Sequence, residues 1–78
     1  MLTSMELFGW SEEKKERAFR QGLAAYLEKD YRPAIDSLRS AWHGHKESQF
    51  FMGVMSEFGY GLAQSKISSF DWYKKAGP

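Results

Sequence analysis

The chain has 78 residues, with 11 lysines and arginines against 10 aspartates and glutamates, which gives a formal net charge of +1. A chain of this length forms one small domain that buries only about 60% of its unfolded surface. It contains no cysteine, which excludes disulfides and thiolate metal sites. The balanced charge gives no strong electrostatic attraction toward nucleic acid or an anionic membrane.

The first residues carry no recognisable targeting signal. Segment 1–7 has neither a basic cluster nor a long apolar run, so no secretory signal is expected. No stretch approaches the about 18 apolar residues that a membrane-spanning helix needs. Because a cysteine-free chain also suits a reducing compartment, we expect a soluble, cytoplasmic protein.

A short helix is predicted first, over residues 4–8. Thr3 and Glu6 form a capping box, in which the hydroxyl accepts from the first-turn amides and the carboxylate accepts from the cap amide. Gly9 ends this helix. The segment carries more apolar surface than so short a helix can bury alone, so we expect residues 1–10 to cap one end of the domain.

The second predicted helix spans residues 12–28. Ser11 is its N-cap, and Glu12 and Glu13 interact favourably with the positive end of the helix dipole. Small and apolar side chains recur at three- and four-residue spacing, which predicts one buried face. This face consists of Ala18, Phe19, Gly22, Leu23, Ala25 and Tyr26.

The third predicted helix spans residues 31–43. Asp30 is its expected N-cap, and Pro33 falls in the first turn, where a missing amide hydrogen is tolerated. Gly44 is expected to end it. Its apolar face consists of Ala34, Ile35, Leu38, Ala41 and Trp42.

Two further helices are predicted over residues 46–58 and 65–76, separated by a turn at 59–61. Gly53 lies inside the first of them, where glycine costs about 1 kcal/mol, so we expect a neighbouring helix to approach closely there. Their apolar faces consist of Phe50, Phe51, Val54, Met55 and Phe58, and of Ile67, Phe70, Trp72, Tyr73 and Ala76.

The sequence repeats itself. Gly22 and Gly53 lie 31 residues apart, and each has a phenylalanine three positions earlier. The second-helix residues Ala34, Leu38 and Ala41 recur 35 residues later as Ser69, Tyr73 and Ala76. A period in the low thirties with two helices per unit indicates an array of helical hairpins. In such an array small residues allow close approach and large residues fill the gaps.

Three segments carry a family resemblance. Residues 22–35 resemble a short-loop repeat of the tetratricopeptide superfamily, and residues 48–61 resemble the first part of its Sel-1-like branch. Residues 71–76 resemble the closing tryptophan-tyrosine-lysine-alanine stretch of that branch. The departures from the family pattern are Ser48, Leu62, Ser65 and Ser69.

The resemblance implies an all-α fragment of a helical-hairpin solenoid, with two repeats behind a short N-terminal helix. The single domain 1–78 then divides into a capping segment 1–10, a tetratricopeptide-like hairpin 11–44 and a Sel-1-like hairpin 45–77. Solenoids usually need about three units, because terminal units expose apolar faces. With 17% aromatic residues, the chain is expected either to bind a partner or itself, or to use these rings in a compact core.

The resemblance also implies a non-enzymatic protein-interaction module, an adaptor or regulator whose groove is lined by the first helix of each hairpin. The partner-binding candidates in this register are Phe19, Leu23, Tyr26, Phe50, Val54, Glu57 and Phe58. The same register adds Glu16, Leu27 and Glu47. Tyr26 and Glu57 are the better candidates for ligand contact, because Phe19, Leu23, Phe50 and Val54 also suit a core. A candidate homodimer interface consists of Phe8, Trp10, Phe70, Trp72 and Tyr73.

Other functions receive less support. His43 and His45 lack a third ligand nearby in sequence, so we expect no metal, and no cofactor motif is present. No catalytic constellation stands out, and a chain this short has little room for a pocket of about 300 Å³. The main alternative is a bacterial or phage inhibitor or immunity-type protein that blocks one target. A nucleic-acid-binding helical protein is disfavoured by the charge balance.

Overall fold

The computed structural model describes residues 10–77, without the side chains of residues 40–42. This part of the chain is all-α, as the sequence predicts. Its helices are α1 (Glu12–Leu27), α2 (Tyr31–Ser37), α3 (Lys46–Phe58) and α4 (Lys66–Ala76). The predicted helix over 4–8 lies outside the described residues. Across residues 10–77, no helix combines the length and the apolar character that crossing a bilayer would require.

Side-chain caps fix where three of the helices begin. The hydroxyl oxygens of Ser11 and Ser65 each accept a hydrogen bond of 3.1 Å from the amide three residues further on. His45 caps α3 in the same way through Nδ1, at 3.3 Å from the amide of Ser48. Asp30 is the N-cap residue of α2, as the sequence predicts, but its side chain makes no cap hydrogen bond.

The helix predicted over 31–43 is α-helical only as far as Ser37. It continues as a 3₁₀ helix, Leu38–His43. The tighter 3₁₀ turn is common at the ends of α-helices, and here it holds Leu38, which is fully buried. The prediction of one continuous α-helix is therefore wrong in its second half.

Two glycines mark the close contacts between helices. A Cβ atom on Gly22 would lie 2.8 Å from Cγ of Leu38, and one on Gly53 would lie 2.5 Å from Cε1 of Tyr73. Carbon atoms in ordinary contact are about 3.5–4 Å apart. Each glycine therefore lets its neighbour pack directly on the helix backbone, as the sequence predicts, and the two contacts occupy equivalent positions of the sequence repeat.

The buried apolar core is small. Among the described residues, Ala34, Leu38, Met52 and Met55 are the buried hydrophobic side chains. Partly buried rings pack around them, including Phe19, Tyr26, Tyr31, Phe51, Tyr60 and Trp72. Since few side chains are fully removed from water, the aromatic side chains supply much of the apolar contact that holds the helices together.

Candidate functional site

Within residues 10–77, eight phenylalanine and tyrosine residues form a connected series of rings, which we call the aromatic ladder. Its members are Phe19, Tyr26, Tyr31, Phe50, Phe51, Phe58, Tyr60 and Tyr73. Phe51 lies at the centre, with its ring centroid 5.9 Å from Phe19, 5.3 Å from Tyr26 and 5.5 Å from Phe50. Rings at such separations attract one another beyond their burial. The ladder therefore joins α1 to α3.

The other end of the ladder is the turn after α3. Tyr60 stacks on Tyr31 with centroids 4.9 Å apart and planes only 6° from parallel. Its ring also lies 6.3 Å from Tyr26 and 5.6 Å from Phe58. Gly61 carries the backbone past Tyr31, where a Cβ at position 61 would lie 2.6 Å from Cβ of Tyr31. The turn is therefore held against the first hairpin by rings.

Part of the ladder faces solvent. Phe50 retains 49% and Phe58 retains 55% of its accessible surface. Leu27, which stands 31 residues before Phe58, is exposed as well. The exposed ring of Phe50 nevertheless packs against the ring of Phe51, and the exposed ring of Phe58 packs against the ring of Tyr60. The exposed rings are therefore held by neighbouring side chains.

The structure brings four of the seven predicted partner-binding residues into the ladder: Phe19, Tyr26, Phe50 and Phe58. Leu23 and Val54 are partly buried. The ring of Tyr26 lies between the rings of Tyr31, Phe51 and Tyr60. Burial, followed by the nearby hydroxyls of Tyr60 and Tyr31, raises the pKa of the Tyr26 hydroxyl. Tyr26 therefore stays neutral at physiological pH.

The seventh predicted residue, Glu57, is engaged within the chain. Its Oε1 accepts a hydrogen bond of 2.7 Å from the hydroxyl of Tyr73. The side chain of Gln64 donates to the Glu57 backbone carbonyl at 2.8 Å. Burial, and then the hydrogen bond with Glu57, raises the pKa of the Tyr73 hydroxyl. The carboxylate thus joins α3 to α4.

A second polar link, centred on His45, was not predicted from the sequence. Its Nε2 lies 3.0 Å from a carboxylate oxygen of Glu16, and its Nδ1 lies 2.9 Å from the hydroxyl of Ser48. Because Nδ1 also accepts from the Ser48 amide, we assign the ring proton to Nε2, which donates to Glu16. His45 therefore ties the start of α3 to α1.

This cluster contains a serine, a histidine and an acid in hydrogen-bonded order, which invites comparison with hydrolase triads. Ser48 is fully buried, however, and a nucleophile must reach its substrate. The carboxylate of Glu47 also approaches His45 Nε2, at 3.4 Å. Within residues 10–77, no three or more His, Asp or Glu side chains are placed to hold a metal ion. The arrangement acts as a helix cap and an interhelical link.

The candidate homodimer residues fall into different environments. Trp10 stacks on His43 with centroids 4.9 Å apart, and Lys14 Nζ lies 4.5 Å from the Trp10 ring centroid. Trp72 packs against the core, and Phe70 is exposed. The fifth member, Phe8, lies outside the described residues, and the ring of Tyr73 lies against Gly53, as described above.

The expectation that the chain has little room for a pocket is wrong. A pocket of about 570 Å³ is lined by Trp10, Ile35, Arg39, His43 and Met52. These residues belong to α2, the 3₁₀ helix and α3, except for Trp10, which precedes α1. No predicted partner-binding residue lines it.

Several residues of the ladder were not among the predicted site residues. Phe51 was assigned only to the apolar face of its helix, Tyr60 to a turn, and Tyr31 to a helix start. The available sequence signal for Tyr60 was its position as an aromatic residue between two glycines, at 59–61. Comparison of the chain with protein-family models, curated proteins and solved structures gives no match.

Proposed function

We propose that the chain is a non-enzymatic protein-binding module of two helical hairpins, 11–44 and 45–77, of the tetratricopeptide and Sel-1-like kind. The paired contacts of Gly22 with Leu38 and of Gly53 with Tyr73 support this architecture, because they occupy equivalent positions in the two halves. The module binds a protein or peptide through the solvent-exposed edge of the aromatic ladder.

One observation carries this proposal: Phe50 and Phe58 are exposed to solvent, and each already packs against a second ring. Protein interfaces concentrate binding energy in a few aromatic anchors. Side chains that are held before binding lose little conformational freedom on binding. Two half-exposed phenylalanines, each supported by a second ring, meet both conditions.

The same surface indicates what kind of partner it would take. Its exposed side chains, Phe50 and Phe58, are apolar, and the carboxylate of Glu57, which was predicted to contact a ligand, already accepts from Tyr73. The partner segment therefore contributes apolar side chains rather than a basic anchor. An amphipathic helix or an extended peptide with spaced apolar residues fits this requirement.

A photo-crosslinking experiment tests the proposal. The photoreactive p-benzoylphenylalanine replaces Phe50 or Phe58 in separate variants, and a control variant carries it at exposed Arg32 on α2. We expect irradiation in the cells that make the protein to give the same discrete protein adduct from positions 50 and 58, and none from position 32. One stoichiometric target would identify an inhibitor, and several targets an adaptor.

The opposite result is equally clear. If positions 50 and 58 give no adduct beyond that of position 32, the ladder edge is not a binding surface. Circular dichroism of each variant confirms that the helices are intact, so that loss of folding is not mistaken for loss of binding.

A further inference from the structure

One face of α2 is covered by the second hairpin. Tyr31 on this face stacks on Tyr60, and Cδ1 of Ile35 lies 3.0 Å from the position that a Cβ on Gly61 would take. Ile35 also packs against the buried core, to which α3 contributes Met52. Thus the turn that follows α3 covers part of the face of α2 that carries Tyr31 and Ile35.

On α4, the apolar residues of the corresponding side are exposed. The repeat offset of 35 residues places Lys66 where α2 has Tyr31, and Phe70 where α2 has Ile35. Phe70 retains 63% of its accessible surface, and Ile67, one turn earlier, retains 79%. Burying such large apolar side chains is favourable. Ile35, the equivalent of Phe70, is partly buried, whereas the equivalent of Ile67 is the exposed Arg32.

Positive charge surrounds these two apolar side chains. Lys66 and Lys74 lie on the same side of the helix as Ile67 and Phe70, since all four fall within an arc of about 100° at 3.6 residues per turn. Lys74 Nζ lies 5.4 Å from the Phe70 ring centroid. Helix α4 contains three lysines and a single acidic residue, Asp71.

We propose that this surface, which we call the α4 face and define by Lys66, Ile67, Phe70 and Lys74, binds an acidic amphipathic helix of a partner protein. The inference rests on the proposed function only in that it assumes a protein-binding module, and it concerns a different surface from the ladder edge. The partner helix has an apolar stripe, which covers Ile67 and Phe70. Its flanking carboxylates pair with Lys66 and Lys74.

Shape and charge favour this occupant over a second copy. A depression of about 330 Å³ lined by Phe70, Tyr73, Lys74 and Gly77 lies beside the α4 face and can receive one apolar side chain. Two copies joined by a two-fold axis through this face would bring lysines against lysines. A partner with carboxylates flanking its apolar stripe removes that repulsion and gains attraction.

The test uses two synthetic helical peptides as probes. Both carry the same leucine stripe, and the flanking positions are glutamate in one and lysine in the other. Binding to the full chain is followed by ¹H–¹⁵N chemical shifts and fluorescence anisotropy. We expect the glutamate peptide to bind about tenfold more tightly than the lysine peptide and to shift amide signals along α4.

Matched variants locate the contact. Phe70→Ser should abolish binding of the glutamate peptide, and Lys66→Glu with Lys74→Glu should reverse the preference toward the lysine peptide. Arg32→Ser on α2, which lies outside both proposed surfaces, is the control and should leave binding unchanged. Because these changes are at exposed positions, the fold should survive them, and chemical-shift dispersion verifies this.

Several results would overturn the inference. Equal binding of both peptides, or no binding of either, removes the acidic helix as the occupant. Sedimentation as a dimer that Phe70→Ser dissociates would assign the α4 face to a second copy, and binding to phosphatidylserine vesicles but not to peptide would assign it to a membrane. If crosslinking at position 58 still succeeds, only this inference fails and the proposed function stands.

Discussion

The ring of Tyr73 lies directly on the backbone of α3 at Gly53, while its hydroxyl donates to Glu57 one turn further along the same helix. One side chain of α4 therefore makes both an apolar and a polar contact with α3. The polar contact can form only because the absence of a side chain at position 53 lets the ring lie flat against the helix.

Gly53→Ala is expected to destabilise the protein, although alanine favours helix formation by about 1 kcal/mol relative to glycine. The new Cβ would lie 2.5 Å from the ring of Tyr73, and overpacking of this kind costs about 1–3 kcal/mol. The ring is wedged against backbone and cannot swing away without losing its bond to Glu57. Urea denaturation followed by circular dichroism measures the change in free energy of unfolding.

The variant Tyr73→Ala provides the matched background for this prediction. With the ring removed, Gly53→Ala should become stabilising, because only the helix propensity remains. If Gly53→Ala stabilises the protein even with Tyr73 in place, the close contact described here does not exist in solution.

Gly61→Ala is expected to cost more stability than Gly44→Ala. Both glycines have positive φ angles, 81° and 85°, so both substitutions carry a similar backbone cost of about 1 kcal/mol. A Cβ at position 44 would meet nothing within 4 Å, whereas one at position 61 would lie 2.6 Å from Cβ of Tyr31. We expect an additional loss of about 1–3 kcal/mol at position 61.

The measurement for this pair is thermal or urea unfolding of both variants under the same conditions. A loss of tyrosine near-ultraviolet dichroism in Gly61→Ala alone would show that the stack of Tyr31 on Tyr60 is disturbed. Equal destabilisation of the two variants would mean that the turn does not pack on α2.

His45→Ala is expected to lower the free energy of unfolding by about 2 kcal/mol. The change removes the cap of α3 and the hydrogen bond to Glu16, and it takes away one hydrogen-bond partner of buried Ser48. His45→Asn keeps a good N-cap residue but cannot reach Glu16, so it should lose about half as much.

Glu16→Gln removes the negative charge from the interhelical bond and leaves the cap unchanged. Its side-chain oxygen can still accept from Nε2 of His45, so the loss should be under about 1 kcal/mol. Denaturant titration of the three variants at one pH checks the order. Equal losses for His45→Ala and His45→Asn would show that the cap contributes nothing, and a His45→Asn variant as stable as the wild type would show that the link to Glu16 contributes nothing.

The stability cost of Tyr73→Phe is expected to shrink at alkaline pH. Folding raises the pKa of the Tyr73 hydroxyl above its ordinary value of 10.0, so the folded state favours the protonated form. The resulting stabilisation is complete below about pH 10 and is lost as the pH rises through the folded-state pKa. Phenylalanine has no such group and is unaffected.

Unfolding free energies of the wild-type protein and Tyr73→Phe, measured from neutral pH to above pH 10, test this prediction. At neutral pH the variant should be less stable by about 1 kcal/mol, the typical contribution of one hydrogen bond. A difference that stays constant across the whole range would contradict the role given to the hydroxyl.

The sequence by itself determined the helices and their close contacts. Periodic apolar residues located α1, α3 and α4 to within one residue, and Ser11 marked the start of α1, because these signals are local to the helix. The repeat marked Gly22 and Gly53 as points of close approach, because only a residue without a side chain permits such proximity, and the structure shows that Leu38 and Tyr73 pack there. The 3₁₀ continuation after Ser37 was not visible, since the hydrophobic period does not distinguish it from an α-helix.

Only the tertiary structure decided how the surface and the polar links are arranged. Glu57 was expected in a binding groove but accepts from Tyr73, and His45, for which the sequence predicted no contact, links α3 to Glu16. Such pairings join residues 16 and 29 positions apart, and sequence spacing gives no information on which polar atoms meet across that distance. Exposure of Phe50, Phe58 and Phe70 likewise depends on what packs beside each ring, a property of the folded chain rather than of any segment.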